Sequence, residues 1–294
     1  MTMKDGLMIG VLGGTGVTGS QVVAALEKNE ANFKCIVRDP ERAKNKLGQK
    51  VKLVQGDLSD RKSLEKAMEG LKTLFILCGH SPMLQELEIN ALETAKEVGV
   101  SYVVKASGSE KGIKPDALSN IGRQHYFIEE AVKSSGISWA ITRPNYFMST
   151  LKGLAGPIAE KRKMITSMPL DTEISMIHPK DIGEATAQII MDQKYSGGSY
   201  FLTGAVITLK DILVEISQAV GRPIEYIQVR PEVERKVMQE KGLPDWLIEH
   251  VLAMTAFTGQ GNMAGVTNWV QKLTGHQPRN IGEWLNESKG SFGG

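Results

Sequence analysis

The sequence predicts an α/β protein of the Rossmann type, a doubly wound parallel sheet with a smaller, mostly helical lobe. Three observations predict it: short apolar runs alternate with amphipathic stretches through the first half, a glycine-rich turn links the first run to a helix, and the rhythm changes after Pro144. Alternation of this kind is the mark of successive βαβ units around a parallel sheet. At 294 residues the chain is long enough to bury a large core. The expected organisation is a dinucleotide-binding domain over 1–150 and a smaller substrate or lid lobe over 151–294, packed on it, with strand exchange between the two allowed.

Strands are expected at Leu7–Leu12, Phe33–Val37, Val51–Val54, Thr73–Leu77, Tyr102–Ala106 and Ser138–Thr142. Helices are expected to open near Gly19, Pro40, Asp60, Pro82 and Asp116, on apolar spacings of three and four such as Leu87, Ala91, Ala95 and Val98. Beyond a Gly/Pro-containing stretch from Gly153 to Pro169, a strand at Glu173–Ile177 leads into a helix capped by Asp181, and further strands fall near Ser199–Leu202 and Glu225–Gln228. Helical patterns around Glu232–Lys241, Asp245–Phe257, Met263–Leu273 and Ile281–Asn286 read as a lid beside the sheet.

Composition narrows the function classes. The 35 Lys and Arg nearly balance 33 Asp and Glu, without a long basic run, which argues against a nucleic-acid or membrane surface. Apolar stretches such as Leu74–Cys78 have the length of buried strands, far short of the ~20 residues of a spanning helix. The start Met1–Asp5 leads straight into the first strand, so a cytoplasmic protein is expected, as a monomer or homodimer. Cys35 and Cys78 lie in apolar segments and read as buried small side chains; neither a disulfide framework nor a metal site is expected.

In Gly13-Gly14-Thr15-Gly16-Val17-Thr18-Gly19 the glycines at 13, 16 and 19 follow a strand and open a helix, the context that makes such a motif informative. Gly13 permits the tight turn, Gly16 removes a Cβ where pyrophosphate approaches, and Gly19 lets the helix pack on the sheet. The helix amino terminus then offers unpaired N–H groups to the anion, with Thr15, Val17 and Thr18 beside it. A P-loop would need Lys and Ser or Thr after the last glycine, where Ser20 and Gln21 stand.

Past the second strand comes Arg38, where an NAD site would place an acidic residue on the ribose. A guanidinium there grips a 2′-phosphate with several donors, which favours NADP(H), although Asp39 next door keeps NAD(H) open. In Gln55-Gly56-Asp57-Leu58, Asp57 either accepts from an adenine amino group, with Leu58 beside it, or caps the next helix.

Taken with Ile36-Val37-Arg38-Asp39-Pro40 and Thr142-Arg143-Pro144-Asn145-Tyr146-Phe147, these motifs resemble the NmrA-like family of atypical short-chain dehydrogenases/reductases, a likeness running from about Leu7 to Glu283-Trp284-Leu285. The family holds NAD(P)H:quinone oxidoreductases, dye reductases and non-catalytic NADP-sensing regulators, so the resemblance implies a cofactor more firmly than a reaction. In ordinary members of the wider superfamily a Tyr four residues before a Lys supplies the proton for hydride transfer. Spacing to Glu129 puts Ile121 at the Tyr position and His125 at the Lys position, so the pair is absent. Tyr126 does not replace it, because one step along a helix turns a side chain by roughly 100°.

The resemblance also implies roles near the nicotinamide. Cys78, at the end of the fourth strand, Ser107, past the fifth, and Asn145, past the sixth, are expected to meet the cofactor. His125 either hydrogen-bonds the nicotinamide ribose and serves as a weak acid or is a structural helix histidine. His80 either shapes the substrate pocket or is a plain loop residue, while Tyr146 and Phe147 suit a flat substrate, with Tyr146 a candidate catalytic side chain. Lys105 reads more simply as a snorkelling surface lysine than as a ribose or phosphate ligand. Met148, Met164, Met168 and Met176 read as core filling, and His178, His250 and His276 as structural.

Loss of the phenolic acid removes roughly 10²–10⁴-fold of proton-transfer help for a simple ketone. The expected activity is therefore NADPH-dependent reduction of a flat electron-poor acceptor, a quinone or a conjugated dye or enone, whose product is protonated later by water. An NADP(H)-sensing regulator and a biosynthetic reductase of a secondary metabolite are the alternatives; a catalytic Lys of the related plant ether reductases has no match here.

Overall fold

Residues 8–293 of the chain are described in its computed structural model. Leu7, where the first strand was expected to begin, and the Met1–Asp5 start lie outside them. The first half runs β1 (Ile9–Leu12), α1 (Val17–Lys28), β2 (Phe33–Val37), α2 (Pro40–Leu47), β3 (Leu53–Gln55), α3 (Arg61–Met68), β4 (Thr73–Ile76), α4 (Leu84–Glu97), β5 (Tyr102–Ala106), α5 (Asn120–Ser134) and β6 (Ser138–Pro144). The second half runs β7 (Tyr146–Phe147), α6 (Ala155–Lys161), β8 (Lys163–Thr166), β9 (Glu173–Ile177), α7 (Pro179–Met191), β10 (Ser199–Leu202), β11 (Val206–Thr208), α8 (Leu209–Ala219), β12 (Glu225–Gln228), α9 (Pro231–Glu240), α10 (Asp245–Gly259), α11 (Trp269–Thr274) and α12 (Ile281–Ser288).

Among the described residues seven parallel strands form the main sheet in the order β10-β6-β5-β4-β1-β2-β3. This is an α/β Rossmann-type fold. The strand order reverses between β1 and β4, and that crevice, beyond the carboxyl ends of the strands, is where ligands bind in open α/β sheets. The seventh strand, β10, comes from the second half of the chain and lengthens the sheet by pairing Tyr200 with Thr142.

Each face of the sheet is covered by an apolar layer. Val22, Val23 and Leu26 of α1 meet Ile182, Ala185 and Ile189 of α7 on one side, and Leu64, Leu84, Leu92 and Ile128 pack on the other. A third core gathers Met148, Met164, Met168 and Met176 with Ile212, Ile216, Trp284 and Phe292, so these methionines are core filling. It is crossed by the small sheet β11-β9-β7 and the parallel pair β12-β8.

Several boundaries differ from expectation, for reasons of capping. Helix α5 starts at Asn120, not near Asp116, because the Ser119 hydroxyl accepts from the Ile121 N–H. Helix α7 is capped by His178, whose Nδ1 accepts from Lys180 N–H at 3.1 Å, while Asp181 turns to Arg279. The helix expected over Met263–Leu273 begins only at Trp269, since the Met263 and Gly265 carbonyls are used by Ser175. Among the described residues no helix is long and apolar enough to cross a membrane.

Candidate active site

The glycine turn sits at the switch point with the geometry that phosphate binding needs. Gly13 takes a left-handed φ of 71°, and a Cβ on it would lie 2.4 Å from the Leu77 carbonyl oxygen at the end of β4. A Cβ on Gly19 would come within 2.0 Å of Gly13 O, so these positions exclude every larger residue. Gly16 is different: its Cβ would touch only Gly13 O, at 3.4 Å, which leaves an open face above the turn. Gly16 is the N-cap of α1 without a side-chain cap, no acidic residue occupies the first turn, and among the described residues nothing accepts from the amides of Val17, Thr18 and Gly19. Unpaired amides at a helix amino terminus attract an anion. The pocket therefore fits a pyrophosphate.

Arg38 is exposed at the end of β2 and makes no ion pair among the described residues. Asp39 is spent as the N-cap of α2, accepting from Arg42 N–H at 3.0 Å. The competing carboxylate is thus directed into the next helix. The cap alternative for Asp57 is corrected in the same way, because Asp60 caps α3. Asp57 Oδ1 instead accepts from the Ser59 amide and hydroxyl at 2.9 and 2.8 Å, which holds its carboxyl below the usual range. Leu58 stands next to it, half-buried against the apolar layer under β3 and α3.

At the carboxyl ends of β4 and β5 three elements supply one charge network. Cys78 lies past the end of β4, half-buried, and its N–H donates to Glu88 Oε1 at 2.9 Å. Glu88 Oε2 is 2.8 Å from Lys105 Nζ, and both side chains are fully buried. The expectation of a snorkelling surface lysine for Lys105 is corrected: a residue in the middle of β5 between β4 and β6 has no route to solvent. Its ammonium also donates to Ala106 O and stands 3.4 Å from His125 Nδ1. Burial raises the Glu88 carboxyl, against the pull of Lys105, and burial with the Lys105 charge holds His125 well below the ordinary imidazole value.

His125, 4 % exposed, meets the ring of His80, which in turn meets that of His250. His80 stands edge-on to it at 5.8 Å and edge-on to His250 of α10 at 5.1 Å. His250 Nδ1 lies 2.7 Å from the Ser119 hydroxyl, which also accepts from Ile121 N–H. Desolvation lowers the pKa of His80, although its residue stays open on one side, and of His250. Ile121, at the expected Tyr position, is buried in the apolar layer under the sheet, and Tyr126 packs edge-on to Phe127.

The segment after β6 is less available than its motif suggests. Asn145 is 3 % exposed; its Oδ1 accepts from Ser109 and its Nδ2 donates to Ser175 and to Met263 O. Its side-chain amide is thus engaged on both its oxygen and its nitrogen by the protein. Ser107 is 8 % exposed beside this segment, its amide donating to Thr142 O. Tyr146 packs into the methionine-rich core, where burial raises its phenol, and Phe147 packs on the opposite layer with Leu77. A cavity of about 300 Å³ opens instead between Lys111–Ser119 and α10, lined by Leu118, Ser119, Met254 and Phe257. Neither His80, Tyr146 nor Phe147 lines it.

Sequence reasoning passed over Glu88 and set His250 aside as structural. The signal for Glu88 was present: it shares the helix face of Leu84, Ala91 and Ala95, an apolar stripe on which a carboxylate needs a buried partner. His250, 125 residues after His125, had no such signal, because only the fold brings α10 across to β4.

The chain is similar to known proteins along nearly its whole length. The chain is 30% identical over 288 residues to an NAD(P)H azoreductase of Xenophilus azovorans, covering 97% of this chain and 99% of that one. Its fold superposes on an NADPH-dependent quinone oxidoreductase of Escherichia coli solved with NADPH, with a TM-score of 0.86 at 22% identity over 96% of this chain and 99% of the other. A Citrobacter triphenylmethane reductase complexed with NADP(H) gives 0.84 at 20% identity, over 96% of this chain and 100% of that one. The model of the NmrA-like family matches residues 6–285, and the chain belongs to that family.

Proposed function

We propose that this NAD(P)H-dependent oxidoreductase reduces a flat, electron-poor acceptor, a quinone or a conjugated dye, with NADPH as its hydride source. The observation that carries the reading is the pairing of an open amide nest at the switch point with an exposed Arg38 that forms no ion pair among the described residues and whose acidic neighbour is tied up. The bound cofactor would supply hydride from its nicotinamide. Gly13, Thr15, Gly16, Val17, Thr18 and Gly19 would hold the pyrophosphate, Arg38 the 2′-phosphate, and Asp57 with Leu58 the adenine. Cys78, Ser107 and His125 would border the nicotinamide.

The acceptor class follows from what stands at the proton-donor position. Ile121 carries no proton to give, Tyr146 has a phenol raised by burial, and His125 stays neutral. A hydride acceptor whose product is a stabilised anion needs only a hydrogen-bond donor at its oxygen or nitrogen, which a neutral imidazole provides. His80 would sit over the acceptor, which enters through the cavity beside Leu118 and Phe257. The relatives named for azo, quinone and dye reduction support this class.

The test is NADPH oxidation followed at 340 nm with quinones, azo and triphenylmethane dyes, and enones. Turnover with at least one planar class and none with simple ketones is expected. Tight NADPH binding with inertness across the whole panel would replace the reductase by a sensor that binds cofactor without chemistry.

A further inference from the structure

The centre of the main sheet holds an ion pair that the fold does not need. Lys105 and Glu88 are both completely shielded from solvent, and a buried pair of this kind is often no more stable than two apolar side chains of the same size. Its placement gives it a use. Glu88 takes the Cys78 N–H with one oxygen and faces Lys105 with the other, so the ammonium is aimed along β5 toward His125.

We propose that Lys105, braced by Glu88, is a positioning residue that fixes the tautomer of His125, leaving Nδ1 as acceptor and Nε2 as the hydrogen-bond donor offered to the ligand. An ammonium has three protons and no lone pair, so a ring nitrogen 3.4 Å away is held in its unprotonated form. Among the described residues Nε2 has no hydrogen-bond partner and remains for what binds at the end of β5. The groups facing the ring from every side agree with a neutral imidazole: Lys105 from β5, His80 past β4 and His250 from α10, with Glu88 of α4 and the Cys78 thiol reaching it only through Lys105. In the superfamily's usual arrangement a lysine stands on the helix; here the cation comes from the strand below and acts through an imidazole. This rests on reading His125 as the donor in the proposed reduction.

The experiment is ¹⁵N–¹H NMR of histidine-labelled full-length protein without any acceptor, which reads the tautomer directly, alongside turnover with a quinone. In the native chain His125 is expected as a single Nε2–H tautomer between pH 6 and 9. The double variant E88L/K105M replaces the pair by apolar side chains; it should keep its fold, mix the two tautomers, and lose about tenfold in kcat, the worth of one hydrogen bond, with KM little changed. A folded double variant in which His125 remains a single Nε2–H tautomer overturns the proposal. If that variant does not fold, K105Q decides: a side-chain amide can accept from the ring as well as donate to it, so both tautomers are expected, and a single Nε2–H tautomer in folded K105Q overturns the proposal equally. Inertness toward every acceptor would sink the reductase reading while leaving the tautomer measurement standing.

Discussion

Single side chains decide which cofactor is held and what is done with it. Arg38 offers an unpaired guanidinium, so Arg38→Ala should weaken NADPH binding by roughly 1–3 kcal/mol and leave NADH nearly untouched, measured by calorimetric titration of both. Equal losses for the two cofactors would refute the 2′-phosphate assignment. Gly19→Ala should abolish binding of either, since its Cβ would stand 2.0 Å from Gly13 O. The glycine turn and Arg38 could be singled out in the sequence because each sits a fixed distance from a strand end, and His125 because of its spacing to Glu129 under the family resemblance. Lys105 was misread because its partner stands on another element, α4, and Glu88 was passed over although its place on an apolar helix stripe already called for a buried partner.

Among elements, the crossing of α1 over α7 is the most demanding. A Cβ on Gly183 of α7 would lie 2.5 Å from the backbone carbon of Gln21 in α1, a position where nothing flexible can give way. Gly183→Ala gains about 1 kcal/mol of helix propensity but forces the helices apart, a cost of ~1–3 kcal/mol. A net fall in Tm of a few degrees is expected by calorimetry, with weaker NADPH binding because α1 carries the anion nest. An unchanged Tm would show that the crossing has slack. Strands and helices of the first half were read from periodicity nearly as they stand. The misplaced ends, at Asn120 and Trp269, are those where a serine cap or a distant carbonyl acceptor outweighed the local pattern.

For the whole molecule, buried histidines set the response to acid. His125, His178 and His250 are all held below the ordinary value of 6.5, chiefly by burial. Protons bind them more readily once the chain unfolds, so their stabilisation is complete above about pH 6.5 and is lost as pH falls below it. Glu129 acts further down: burial opposes ionisation but Arg143 outweighs it, so its share is lost below its usual 4.5. His276 runs the other way, raised by the Gln277 carbonyl and Glu184; its small, half-exposed contribution is present below 6.5 and lost as pH rises through the raised value. Urea midpoints should therefore drop between pH 7 and 5, and a flat profile over that range would contradict the burial of these rings. The change of rhythm after Pro144 underlies the expected second lobe, and strand exchange between the two parts was allowed for; that β10 is the strand that joins the main sheet had no local signal, because Ser199–Leu202 reads like any other short strand. One side chain ties three segments of the fold together. Asn145 binds the end of β5 through Ser109, strand β9 through Ser175 and the loop after α10 through Met263. A single amide thus acts as a rivet through three layers: opening around a ligand has to bend on either side of it, and the amides of Ser175 and Asn145 should be among the last to exchange in heavy water.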